Sequence, residues 1–215
     1  MAQPRITAIT PIADDASRAA VRVGQRVVAR LSWAQVEALA LAVDQPWDEE
    51  LAGRVADAAA MGKALRHAQA ALARRAHSRF ELAGKLRKRG HAAEVCRQVL
   101  DELQRRGELD DEAFAHALVR EELARKPAGA MLLRQKLAQK GVERSLAERV
   151  VAEALADVEQ VEPATALARR RAASLARLEP MTRRRRIYAL LTRRGFDRET
   201  IEAALRAVEG DEQQM

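Results

Sequence analysis

The side chains best suited to chemistry in this sequence are cationic, and they come in runs. Arg74-Arg75, Arg79, Lys85 and Arg87-Lys88-Arg89 form one group, with Arg105-Arg106 close behind. A second group holds Arg169-Arg170-Arg171, Arg183 to Arg186 and Arg193-Arg194. An exposed guanidinium or ammonium recognises phosphate or carboxylate oxygens, Arg as a planar fork and Lys as a point charge. Between residues 163 and 206, twelve basic residues face four acidic ones, a net of +8 against +7 for the whole chain. The rest of the sequence is therefore nearly neutral. With 3.6 residues per helical turn, Arg183 to Arg186 cannot share one face, so at least two must meet solvent or a partner. Such a patch can hold phosphate, each contact steepening the salt dependence by about one log unit per log salt. It can equally meet an acidic protein surface, or be a solvated helix face.

Other reactive groups are sparse. Asp110-Asp111-Glu112 is the tight carboxylate cluster. General acid–base work needs carboxylates in differing environments facing a pocket, whereas three acids at a helix start read as a cap and a dipole partner. His67, His77, His91 and His116 form no His-x-x-x-His pair, so they are expected as surface or partly packed residues, with no metal. Cys96 lies at helical spacing with Val95 and Val99 and reads as buried packing. Gly-Lys at 62–63 and 84–85 lacks the phosphate loop and the Ser/Thr that would complete it.

The elements that carry these residues are helices. The 215 residues include 46 Ala and 24 Leu, with six aromatics, ten Gly and six Pro. That composition favours helix. It excludes a disulfide framework, which one cysteine cannot build, and makes stacking platforms for single-stranded nucleic acid unexpected. No apolar run approaches the length of a membrane span. The opening MAQPRITAIT has no apolar core before a cleavage site, so a cytoplasmic protein is expected. Residues up to about 31 alternate apolar and polar types, with turn signals at Asp14-Asp15 and Gly24, which predicts two or three short strands. A hairpin alone is marginal in water and must pack on the adjoining helices. Ser32 predicts a cap for a helix from Trp33 to about Ala42; beyond Pro46, Asp48 caps a longer one running to about Ala76.

From Ser78 the sequence repeats around Gly90, Gly141 and Gly195, which lie 51 and 54 residues apart. Leu82, Leu133 and Ile187 stand eight residues before each glycine, and Leu86, Leu137 and Leu191 four before it. Arg89, Lys140 and Arg194 directly precede it, where a cation suits the helix dipole. Each glycine can take the left-handed conformation that stops a helix. Apolar residues then return at helical spacing. A third helix fills each repeat: in the first, Asp110 caps it and Phe114, Ala117 and Leu118 face inward; in the second it covers about 158 to 177 with Ala166, Leu167 and Leu175 inward. Stacking such units hides more apolar surface than one alone.

Three features read together resemble the RecX family, bacterial regulators of the RecA recombinase. They are Ser78-Arg79-x-Glu81-Leu82 with Lys85-Leu86 and Gly90, then Gly107 to Ala115 (GELDDEAFA), then Leu137-Ala138-Gln139-Lys140-Gly141. The resemblance covers about residues 78 to 208. It implies tandem three-helix repeats, binding to RecA filaments on DNA, and inhibition of recombinase and ATPase activity. The expected fold is mainly α: tandem three-helix repeats in an elongated curved array with a small N-terminal β-hairpin or strand region. The expected segments are 1–77 (strands and linking helices), 78–128, 129–179, and a partial repeat with a polar tail, 180–215. The expected function is non-catalytic, without cofactor or metal. The protein would be a cytoplasmic monomer that binds the RecA filament, DNA backbone being a possible direct contact. A stand-alone basic DNA-binding module is the alternative. Charge density selects Arg87, Lys88, Arg105, Arg106, Arg170, Arg184, Arg185 and Arg193 as interaction residues.

Overall fold

The computed structural model describes residues 3–156 and 158–213, the last three without their side chains. The chain forms two compact units. The first runs to Ala76 and adds Leu82–Glu108; the second holds His77–Glu81 and the chain from Leu109 on.

In the first unit, β1 (Ile6–Ile12), β2 (Asp15–Val23) and β3 (Arg26–Ser32) form an antiparallel sheet in the order β1-β2-β3. Thr10 pairs with Ala20, and Ala20 with Arg30. The first turn falls on Ala13-Asp14, and Asp15 already belongs to β2. Ile6, Ala19, Val21 and Leu31 fill one face and meet Val36, Leu51 and Val55 from two helices. Helix α1 covers Trp33–Ala38 and starts with a capping box: Gln35 N–H donates to Ser32 Oγ at 3.2 Å, and Ser32 N–H to Gln35 Oε1 at 3.0 Å. It stops short of the expected Ala42. Ala40 takes a positive φ of 50°, Leu41 N–H bonds to Val36 O at 3.0 Å, and Leu41 turns into the core. Helix α2 (Glu49–Leu72) is capped by Asp48, whose carboxylate accepts from Leu51 N–H at 2.8 Å. It ends before the expected Ala76. The chain leaves the helix in time for Ser78 to cap the next one, its Oγ accepting from Glu81 N–H at 3.1 Å.

Helices α3 (Arg79–Lys88) and α4 (Ala93–Arg105) come next. The second unit continues with α5 (Asp111–Arg125), α6 (Ala130–Gln139), α7 (Arg144–Leu155), α8 (Val161–Ser174), α9 (Pro180–Arg193) and α10 (Arg198–Gln213). The repeat positions are all buried: Leu82, Leu86, Leu133, Leu137, Ile187 and Leu191. Gly90, Gly141 and Gly195 take φ of +80°, +70° and +79°. The residue after each donates its N–H back to the carbonyl of Leu86, Leu137 or Leu191, which closes the helix end.

The cores join helices one step out of phase with the glycine repeat. Phe114, Ala115 and Val119 of α5 share a core with Leu133, Leu137, Val150 and Val151 of α6 and α7. Ala164, Ala168 and Ala172 of α8 share another with Leu191, Ile201 and Leu205 of α9 and α10. The inward residues of α5 and α8 differ from expectation here. Ala117 and Ala166 are exposed, and Leu118 and Leu167 only half-buried; Leu175 is buried as expected. Alanine-rich faces carry little periodic contrast, and the small side chains of α8 admit its neighbour closely.

Within the second unit, two of the glycine turns act as sockets. Ser78 Oγ donates to Lys140 O at 2.5 Å, Lys140 Nζ bonds Glu81 at 2.8 Å, and a Cβ on Gly141 would overlap the Phe80 side chain. The same join recurs with its helix start 51 residues on and its glycine turn 54 residues on. Gly129 N–H donates to Arg194 O at 2.9 Å, Met131 N–H to Gly195 O at 3.1 Å, and Arg194 reaches back to the carbonyls of Pro127 and Lys126 at 2.7 and 2.9 Å. A Cβ on Gly195 would overlap the Leu132 backbone, whereas one on Gly90 would meet nothing within 4 Å.

Gly90→Ala is therefore expected to cost only the left-handed backbone penalty, about 1–2 kcal/mol. Gly195→Ala is expected to cost at least about 2 kcal/mol more, because backbone must move as well. Urea unfolding of the two variants checks the difference; equal losses would contradict the socket.

Candidate interaction surface

The structure sorts the eight cations picked out by charge density. Arg87, Lys88, Arg105 and Arg106 belong to the first unit; Arg170, Arg184, Arg185 and Arg193 belong to the second. Arg87 and Lys88 stand exposed in the last turn of α3. Arg105 and Arg106, at the end of α4, both engage Glu102, Arg106 Nε at 2.5 Å; Arg106 also lies 3.9 Å from Glu108. The Arg106 hydrogen bond and both guanidinium charges hold the Glu102 carboxyl below the usual range.

Arg184 is half-buried and clamps α9 to α10, with Glu202 at 2.6 Å and Glu209 on its other nitrogen. Its neighbour Arg185 is exposed, as are Arg170 on α8 and Arg193 at the end of α9. Arg87, Lys88, Arg170, Arg185 and Arg193 thus form no ion pair with a described residue. Arg194 serves the socket at Gly195. The basic residue before that glycine therefore has a partner in the fold as well as a place in the helix dipole.

Two neutral side chains join the free cations on α9. Met181 is 70% exposed and Tyr188 is 36% exposed, and they line one shallow hollow with Thr182, Arg184 and Arg185. A helix face that mixes Tyr, Met and Arg has the make-up of an interaction hot spot. The spacing 181, 185, 188 carries this signal in the sequence, where the arginine run overshadows it.

The acidic cluster divides among three structural tasks. Asp110 caps α5, its carboxylate accepting from Glu112 and Ala113 N–H at 2.9 Å each. Asp111 accepts from Arg79 N–H at 2.7 Å. Glu112 pairs with Arg149, which keeps its carboxyl below the usual range. Cys96 is buried as expected, and burial pushes its thiol up. His67, His91 and His116 are partly buried, as expected, whereas His77 departs from expectation. His77 is almost fully buried, and His67 Nδ1 lies 2.8 Å from His91 Nε2. Burial, then the charges of Arg89, Lys63 and their neighbours, lower both members of that pair. No group of three His, Cys, Asp or Glu side chains could hold a metal among the described residues. No helix among them is long and apolar enough to cross a membrane.

Comparison with known proteins places three family models on the chain. The RecX first three-helix domain matches residues 60–103, the second 110–151 and the third 157–205. "Regulatory protein RecX" of Pelodictyon phaeoclathratiforme is 36% identical over 132 residues, 61% of this chain and 80% of that one. Its counterpart from Chlorobaculum tepidum is 36% identical over 149 residues, 69% of this chain and 90% of that one. A crystal structure of regulatory protein RecX superposes with a TM-score of 0.81 at 21% identity, over 93% of this chain and 97% of that chain. RecX from Lactobacillus salivarius gives 0.63 at 21% identity, over 70% and 97%. These two likenesses establish the fold.

The geometry sets two expectations. Asp110→Ala should lower stability by about 1 kcal/mol, whereas Asp110→Asn, which still accepts, should cost almost nothing; thermal unfolding of both variants checks it. The His67–His91 pair titrates below an unfolded histidine, so the unfolded chain takes up protons first as pH falls. Stability should therefore decline as pH drops below about 6.5. Replacing His91 with Asn should flatten that decline in urea titrations at about pH 7.5 and 5.5, either side of that value.

Proposed function

The chain belongs to the RecX family, and from that premise we propose that it is a non-catalytic regulator that binds RecA filaments on DNA. It lowers recombinase and ATPase activity there, in recombination, repair and the SOS response, as a cytoplasmic monomer without cofactor. The relatives' name, regulatory protein RecX, supports a regulatory role. The observation that carries the interaction is the set of exposed cations left without carboxylates, with Met181 and Tyr188 beside Arg185.

A filament of protein on DNA is strongly anionic, and unpaired cations raise its encounter rate with a basic partner. A regulator that binds one filament state better than another shifts the balance by its difference in affinity. Arg105, Arg106 and Arg184 contribute less to this than charge density suggests, because their charge is already met within the chain. Arg87, Lys88, Arg170, Arg185 and Arg193 carry it instead. Asp110, Asp111 and Glu112 each have a structural partner, which supports a role without catalysis.

The test is ATP turnover by RecA on single-stranded DNA with the purified chain added. Turnover should fall in a saturable way. Arg185→Glu combined with Arg193→Glu should raise the concentration needed by about tenfold, the effect of ~1.4 kcal/mol, while Arg184→Gln should chiefly lower stability. Unchanged turnover with no co-sedimentation rejects the reading. Equal affinity for naked DNA and filament, falling steeply with salt, would assign a plain DNA-binding module instead.

A further inference from the structure

The first unit holds a cationic hollow of about 480 Å³ between β3 and α2. We propose that this hollow is an anion site that takes a phosphate group. Arg18, Arg30, Lys63 and Arg66 line it, and no Asp or Glu does. Its apolar part is Val27, Val28, Ala29 and Ala59. Because β3 is the last strand of the sheet, its outward backbone groups have no strand partner among the described residues.

The cations are not satisfied as they stand. Arg18 spends one nitrogen on Arg30 O at 3.2 Å, while its Nε is buried without a hydrogen-bond partner. A buried guanidinium N–H left empty is costly, and native structures fill such donors. Arg66 is half-buried and bonds Gly62 O at 3.0 Å. Burial and the charge of Arg18 both push its pKa down, with Asp15 the opposing carboxylate. His67 lines the same hollow, and burial, then the charges of Arg89, His91, Lys63 and Arg66, disfavour its charged form. So many cations around one concavity call for a compact ligand of more than one negative charge. Phosphate supplies that charge and several acceptor oxygens for guanidinium forks. The apolar wall beside it suits a sugar or base. The phosphate can come from a free nucleotide or pyrophosphate, or from the backbone of a nucleic-acid strand. Lys63 and Arg66 lie outside the residues assigned to filament binding, so the two readings stand or fall separately.

The experiment is NMR titration of the full chain, following the His67 Cε1 proton and the amide spectrum. The probes are pyrophosphate, a short oligo(dT) and a glutamate-rich peptide. Pyrophosphate should shift His67 saturably and raise its titration midpoint, because a bound anion offsets Lys63 and Arg66. Lys63→Gln with Arg66→Gln should weaken binding at least about tenfold, the loss of one or more charge-assisted bonds; Lys63→Arg should retain it. Lys63 is exposed, so Lys63→Gln alone keeps the test alive if the double variant unfolds. Tighter binding of oligo(dT) than pyrophosphate assigns the strand backbone as the source, and the reverse order assigns a free phosphate. No saturable shift at millimolar pyrophosphate overturns the site. So does equal binding by wild type and variants, or a preference for the glutamate peptide over both phosphates.

Discussion

A glycine with positive φ, preceded by a cation, is the constraint on which the second unit depends. At Gly141 and Gly195 the left-handed turn does more than stop a helix. It bares a backbone that another segment can touch. Phe80 sits where a side chain on Gly141 would be, and Leu132 where one on Gly195 would be. The carbonyls just before, of Lys140 and Arg194, accept from Ser78 and Gly129. The cations of those same two residues then reach back to Glu81 and to the carbonyls of Pro127 and Lys126. Helix end, close approach and polar clasp thus coincide within two residues.

This explains which parts of the fold the sequence displays. Leucine and isoleucine at fixed distances before each glycine are large, apolar and periodic, so their burial is readable in advance. The strands announce themselves through alternation, and Ser32, Asp48 and Asp110 through cap chemistry. Alanine faces stay silent. In α8 the buried Ala164, Ala168 and Ala172 stand among exposed Ala166 and Ala173, and nothing in residue type separates them. The early stop of α1 depends on Leu41 entering a core built by distant strands, which local preference does not encode.

The charged residues show the same limit more sharply. Arg184 and Arg185 are identical neighbours, yet one is clamped by Glu202 and Glu209 and the other is exposed. The acids that decide this lie 18 and 25 residues away. Charge density marks a region; the partner across the helix pair decides which cation is spent inside the fold. Arg18, Lys63 and Arg66 form no run at all and come together only because a strand and a helix pack side by side. Met181 and Tyr188 were within reach of a helical-spacing reading that weighed apolar and basic residues together.

The clasp recurs one repeat later with new side chains but the same kind of seat: a helix start laid on a glycine turn further along the chain. A joint built on main-chain geometry tolerates drift in the residues around it, so long as glycine stays. Tandem duplication of one such segment would inherit a complementary seam at birth, with no fresh surface to invent. Lineages could then lengthen or shorten the array by whole modules while each boundary kept its fit.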